Sequence, residues 1–234
     1  MTSERLSGRE GGRSLKQRVK TAKKKTVSQT RWLERQLNDP YVARAKREGY
    51  RSRAAFKIIE LNEKFKLFRP GGRILDLGAA PGGWAQIAAK AVQSETGKGR
   101  VIGIDLLEIE PIPGVEFTVM DFLADDAPEK LKEMLGGDAD VVMSDMAANT
   151  TGHKKTDHLK IVALAELAAH FAREVLAPRG AFLAKVLQGG TEGELLADLK
   201  RDFTQVKHYK PAASRADSAE LYVVATGYRG TRGS

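Results

Sequence analysis

Four aspartates stand at or just beyond the ends of short apolar runs: Asp76 in "ILDLG", Asp105 in "VIGIDLL", Asp121 after "FTVM" and Asp145 in "VVMSDMA". If those runs are strands of one sheet, the carboxylates form an acidic rim. Such a rim repels phosphate and suits a cationic ligand. Between the first two lies "GAAPGGW", residues 78–84. Its spacing is Gly-x-x-x-Gly-Gly, unlike the Gly-x-Gly-x-x-Gly of dinucleotide binders, and Pro81 removes an N–H that a pyrophosphate would use. Asp105 follows this turn by about 20 residues, the place from which a carboxylate reaches ribose hydroxyls, and Asp121 is placed to accept from an adenine amine. A nucleoside that carries a cation and no phosphate fits all of this, and S-adenosylmethionine is such a ligand. A tight turn without a ligand uses the same glycines, however, and each aspartate singly is an ordinary cap or turn residue. Trp84 reads equally as core packing or as lining of a cofactor pocket.

The elements that must position these groups are legible as an alternation. Apolar runs predict strands at Arg73–Leu77, Arg100–Leu106, Val115–Met120, Ala139–Ser144, Gly180–Leu187, Gln205–Lys210 and Glu220–Thr226. Helical patterns separate them at Trp84–Gln93, Ala127–Leu135, His158–Leu176 and Glu192–Phe203. This predicts an α/β fold, an open and mostly parallel sheet with helices on both faces. The last two strands are joined by about ten residues with no helical pattern, so the final strand is expected to run antiparallel. A further amphipathic helix is expected over "SRAAFKIIELNEKFKLF", with Ser52 as N-cap and Pro70-Gly71-Gly72 as its stop.

Charge is distributed unevenly. Residues 1–57 hold 17 Lys/Arg against 5 Asp/Glu, whereas the rest of the chain holds 22 against 25. The basic excess therefore belongs to the N-terminal quarter, which points to a polyanion partner such as RNA. Residues 1–30 are expected to be a flexible basic arm, 31–230 a single domain and 231–234 a short tail. The chain has no cysteine, which excludes disulfides, thiolate metal sites and a cysteine nucleophile. His153, His158, His170 and His208 lack metal-ligand spacing, and no metal is expected. No run approaches the length of a membrane span, and the N-terminus lacks an apolar signal core, so a cytoplasmic location is expected.

The motifs "RSRAAFK", "LDLGAAPGGW", "GIDLL", "VVMSDMA", "KVLQG" and "SRADSAELYVVATG" follow one another in order. The set resembles the FtsJ/RrmJ-type ribosomal RNA methyltransferases, over roughly residues 30–230. The resemblance implies a Rossmann-like S-adenosylmethionine-dependent methyltransferase fold, a seven-stranded sheet with one antiparallel strand. It implies 2′-O-methylation of a nucleotide, a uridine, in large-subunit ribosomal RNA by a monomer. A Lys-Asp-Lys-Glu tetrad falls on Lys57, Asp145, Lys185 and Glu220. Cofactor contacts fall on Gly82, Trp84, Asp105, Asp121 and Asp145. Two positions depart from the family pattern: Ala148, where many relatives have proline, and Ala55, where many have an aromatic residue.

A ribose 2′-hydroxyl must lose its proton as it is methylated. A lysine takes that proton only when neutral, and a free lysine titrates near about 10.4, so burial and neighbouring cations must favour the neutral amine. Lys185, inside an apolar run, is expected to be the base, held by Asp145, with Lys57 and Glu220 positioning the ribose. Transfer RNA or an mRNA cap is an alternative acceptor. A non-catalytic RNA-binding assembly factor and a nicotinamide-dependent oxidoreductase are alternatives of other kinds. The basic stretches "KQRVKTAKKK" and "RAKREGYRSR", with Lys154 and Lys155, are expected to track phosphates. Deleting residues 1–30 is therefore predicted to weaken RNA binding and flatten its salt dependence, with chemistry on bound RNA retained. RNA binding measured across a salt series gives the slope, and an unchanged slope rules out the arm as a phosphate binder.

Overall fold

The computed structural model describes residues 26–147, 152–188 and 193–230. The first basic stretch and Ala148 lie outside them, as do the side chains of Lys154 and Lys155. The chain opens with three helices: α1 (Val27–Leu37), α2 (Pro40–Arg47) and α3 (Ala54–Phe65). The boundary expected at residue 30 thus falls inside a helix. Asp39 and Pro40 separate α1 from α2 for a local reason. Asp39 caps α2 by accepting the Tyr41 N–H at 3.0 Å, and Pro40 occupies the first turn, where its missing N–H costs nothing.

The remainder alternates: β1 (Arg73–Leu77), α4 (Gly83–Val92), β2 (Arg100–Asp105), β3 (Glu116–Val119), α5 (Ala127–Leu135), β4 (Ala139–Ser144), α6 (Lys154–Val175), β5 (Leu176–Leu187), α7 (Glu194–Asp202), β6 (Phe203–Tyr209) and β7 (Glu220–Tyr228). The seven strands form one sheet in the order β3-β2-β1-β4-β5-β7-β6. Strands β1 to β5 pair in parallel, and β7 is antiparallel to both of its neighbours. The expected architecture and the single reversed strand are both present. Strand order turns outward in both directions from β1 and β4, so the crevice beyond their carboxyl ends is where a ligand site is expected.

Side chains alternate across the sheet, and the two faces carry separate cores. Leu75, Leu77, Phe182 and Val223 pack with α5, α6 and α7. Ile74, Met143, Leu183 and Val224 pack with α3 and α4. The same alternation places Lys185 and Tyr222 on the α3–α4 face, opposite each other in the β5–β7 register.

Ser52 does not act as the N-cap of α3. Arg53 holds that position without a side-chain cap bond, and the helix ends at Lys66, in left-handed backbone, before Pro70 is reached. The Ser52 hydroxyl is instead buried against the start of α4. A Cβ on Gly83 would lie 2.4 Å from it.

Asp76 also departs from expectation. It is 1% exposed and lies on the α3–α4 face of β1, not on an open rim. Its Oδ2 has no hydrogen-bond partner. Burial holds its proton affinity well above the usual carboxylate range, reinforced by the charges of Asp145 and Asp105 and opposed by the Ala85 N–H that it accepts. A carboxyl that binds its proton more tightly when folded contributes stability that is complete below its unfolded titration and is lost as pH rises through the folded one. Asp76→Asn, neutral at every pH, should match the parent in acid and exceed its stability increasingly above the ordinary carboxylate range. Urea unfolding at about pH 5 and about pH 8 measures this, and a variant–parent difference that does not grow with pH refutes the assignment.

Candidate active site

Two cavities open at the carboxyl end of the sheet. The larger, about 740 Å³, is lined by Gly78, Ala80, Asp105, Asp121 and Asp145, with Leu106, Leu107, Leu123 and Met146 as apolar wall and Lys160 at its edge. The three leucines are exposed. Asp105 is held by two backbone donors, Ala80 N–H at 2.9 Å and Leu107 N–H at 3.0 Å. Asp121 accepts the Leu123 N–H at 3.0 Å. Each carboxylate keeps lone pairs beyond these contacts. Three of the four expected rim aspartates therefore face this cavity.

The smaller cavity, about 320 Å³, is lined by Arg35, Arg53, Lys57, Arg215, Asp217 and Glu220, among others. A chain of polar contacts joins the two. Lys57, on the first turn of α3, is 8% exposed. Its Nζ lies 3.4 Å from Glu220 Oε2 and donates to the Tyr222 hydroxyl at 2.9 Å. That hydroxyl donates to Asp145 Oδ1 at 2.8 Å. Lys185, 6% exposed, lies 3.1 Å from the same Oδ1 and donates to the Asp145 backbone carbonyl at 2.6 Å. The four expected charged residues thus come together from α3, the end of β4, β5 and the start of β7. The contacts linking the two lysines run through Tyr222 and Asp145.

Tyr222 was not expected. It is fully buried, and burial, then the Asp145 charge, raises its phenol well above the usual tyrosine range. The hydroxyl stays protonated and keeps donating to Asp145. The signal was present in the sequence: in a strand, residues two apart share a face, and Tyr222 stands two from Glu220.

The structure places Trp84 in packing. The side chain is 3% exposed, its Nε1 donates to Ala54 O at 3.0 Å, and its ring lies 5.5 Å from that of Tyr222. Neither Trp84 nor Gly82 lines the larger cavity. Gly82 has φ +99°, and a Cβ there would lie 2.7 Å from Ile112 Cδ1 and 3.3 Å from Phe117 Cζ. Protein thus crowds this turn from the side away from the cavity, so glycine is needed there with or without a ligand.

The basic stretch "RAKREGYRSR" is partly spent on internal contacts. Arg44 pairs with Glu48 at 2.7 Å, Arg51 donates to Pro111 O at 2.6 Å and Arg53 pairs with Asp39. Lys46 and Arg47 remain exposed.

Comparison with known proteins bears on this arrangement. The FtsJ-like methyltransferase family matches residues 50–228. The chain is 72% identical over 219 residues to the protein named ribosomal RNA large subunit methyltransferase E of Xanthobacter autotrophicus, covering 94% of this chain and 86% of that one. It is 68% identical over 219 residues to the protein of the same name from Azorhizobium caulinodans, covering 94% and 91%. Among solved structures it is similar to a ribosomal RNA methyltransferase of Plasmodium falciparum, with a TM-score of 0.68, 32% identity and coverage of 77% of this chain and 100% of that one. The family match takes in Lys57, Asp145, Lys185 and Glu220 and the walls of the larger cavity, and the chain belongs to the FtsJ-like methyltransferase family.

Proposed function

We propose that the protein transfers a methyl group from S-adenosylmethionine to a ribose 2′-hydroxyl of large-subunit ribosomal RNA, acting as a cytoplasmic monomer. The observation that carries this reading is the Lys57–Tyr222–Asp145–Lys185 contact chain between an acid-lined cavity and a basic one. The relatives' names support the ribosomal substrate. The choice of uridine as the methylated nucleoside rests on the family resemblance alone.

The larger cavity suits the cofactor in charge and in its mixture of acidic and apolar walls. Asp105 would take the ribose diol, Asp121 the adenine amine and Asp145 the cationic end. Leu106, Leu107 and Leu123 offer apolar surface to the base. Gly82, whose own N–H donates to Ala79 O at 2.6 Å, contributes by shaping the turn, and Trp84 contributes a backbone N–H in the first turn of α4, where N–H groups lack intrahelical acceptors. S-adenosylmethionine, when bound, supplies an electrophilic methyl group on a sulfonium.

The chain's own groups handle the acceptor. Arg35, Arg53 and Arg215 give the smaller cavity the charge to receive an RNA strand. Lys57 and Glu220 orient the ribose at its inner end. Lys185 Nζ receives the proton leaving the 2′-hydroxyl, and Asp145 fixes that amine through its carbonyl and its Oδ1. Tyr222 donates to the same Asp145 Oδ1, which adds a second contact that orients the carboxylate.

Incubating the protein and labelled S-adenosylmethionine with large ribosomal subunits that lack the modification should place one methyl group on a ribose, mapped by mass spectrometry of the nucleoside. Label absent from RNA, or on a base, overturns the reading. In the same assay Lys185→Arg, which keeps the cation but cannot act as the base near neutrality, should lose activity by about 10²-fold or more across the pH range. Parent-like turnover removes Lys185 from the base role.

A further inference from the structure

One carboxylate outside the contact chain holds three separate parts of the protein. Asp39 lies between α1 and α2 with its side chain buried. Its Oδ1 caps α2 through the Tyr41 N–H. Its Oδ2 is shared by two guanidinium groups: Arg53 through Nη1, and Arg215 through Nε at 3.3 Å and Nη2 at 3.2 Å. Arg53 immediately precedes α3, one helical turn before Lys57, and its Nη2 also donates to Ala213 O. Arg215 lies in the segment that enters β7 at Glu220. Both arginines line the smaller cavity with Lys57 and Glu220, and Asp39 stands behind them.

Two guanidinium groups repel each other, and a single carboxylate oxygen between them fixes their separation while leaving the trio with one net positive charge. Each guanidinium has five N–H donors, and these contacts use two on each side chain. The segment carrying Arg215 is braced independently by α3, because Glu60 accepts the Tyr209 hydroxyl at 2.5 Å and the Ala212 N–H at 3.0 Å. An anion entering this cavity therefore meets a rigid fork.

The structure assigns Asp39 as a positioning residue for the acceptor: it holds Arg53 and Arg215 as a cationic fork that orients an RNA backbone phosphate, and so decides which ribose reaches Lys57 and Lys185. This rests on the RNA-methylating reading above. Positioning, unlike simple attraction, has a distinctive signature when the carboxylate is neutralised. Asp39→Asn keeps an N-cap acceptor for α2 and adds one unit of positive charge at the cavity. RNA should then bind as tightly as to the parent, or more tightly at low salt. Turnover at saturating RNA should fall by about ten- to a hundredfold, because the strand is held in more than one pose.

The test measures kcat and KM for methylation of large subunits, RNA affinity and S-adenosylmethionine affinity for the parent, Asp39→Asn, Arg215→Gln and the double variant. The expected result is a kcat loss in Asp39→Asn with both affinities preserved, and a much smaller loss when the same change is made beside Arg215→Gln. Unchanged kcat beside an active parent overturns the fork while leaving the methyltransferase reading intact. Losses that multiply independently in the double variant overturn it too, as does reduced cofactor affinity in Asp39→Asn, which marks a general folding role. A parent that labels no RNA overturns the fork and the reading beneath it together.

Discussion

A lysine amine taken out of water must have its N–H groups met by acceptors inside the protein, or it costs several kcal/mol. Two lysines of this chain are in that position. Lys185 is buried in a central strand and is met by both kinds of oxygen that Asp145 offers. Lys57 is buried at the foot of α3 and is met by the Tyr222 hydroxyl and the Glu220 carboxylate. Satisfying both at once requires the end of β4, the middle of β5, the first residues of β7 and the first turn of α3 to converge. Much of the local architecture follows from that requirement. Trp84 ties α4 to α3 and packs on the Tyr222 ring, so the helix after the glycine turn braces the aromatic residue that joins the two lysine sites. The polar groups are fixed because the apolar ones around them are packed.

What the sequence made legible divides along physical lines. Strand positions were readable because β1, β2, β4 and the part of β5 from Gly180 on are buried on both faces and so appear as mostly apolar runs, whereas the partly exposed start of β5 at Leu176 fell outside the expected strand. The edge strands β3 and β6, with much of their length exposed, were read with shifted ends. Asp105 and Asp121 line the larger cavity because strand-end position determines exposure there. Asp76 was misplaced for the opposite reason. It lies within β1 and not beyond it, so its direction is set by strand alternation, which turns it toward α4. Asp39 and Arg215 stand 176 residues apart in the chain, and no local pattern announces that they meet.

The glycine turn illustrates how one motif can satisfy two demands. Spacing alone fits room for a ligand and a tight strand–helix turn without one equally. The structure divides that room: Gly78 and Ala80 face the larger cavity, while Gly82 and Gly83 face Ile112, Phe117 and Ser52. The same few residues thus bring backbone to the cavity and let α3 and the segment before β3 close over the other side. A side chain at Gly82 or Gly83 would disturb the protein before it disturbed any ligand.

The insertion of β7 between β5 and β6 has a consequence for synthesis of the chain. The strands that shape the larger cavity, together with their helices, are complete by the end of β5, whereas Glu220 and Tyr222 arrive later, with β7. On a growing polypeptide the first five strands can pair while β5 still presents an open edge, and Lys57 lacks the two oxygens that β7 brings. The reversed strand closes that edge and delivers both oxygens in one event. A chain ending short of residue 220 would keep the walls of one cavity, lose the connection to the other and expose a strand edge open to pairing with a second molecule. Order of emergence thus separates the part that shapes the first cavity from the part that completes the proposed reaction centre.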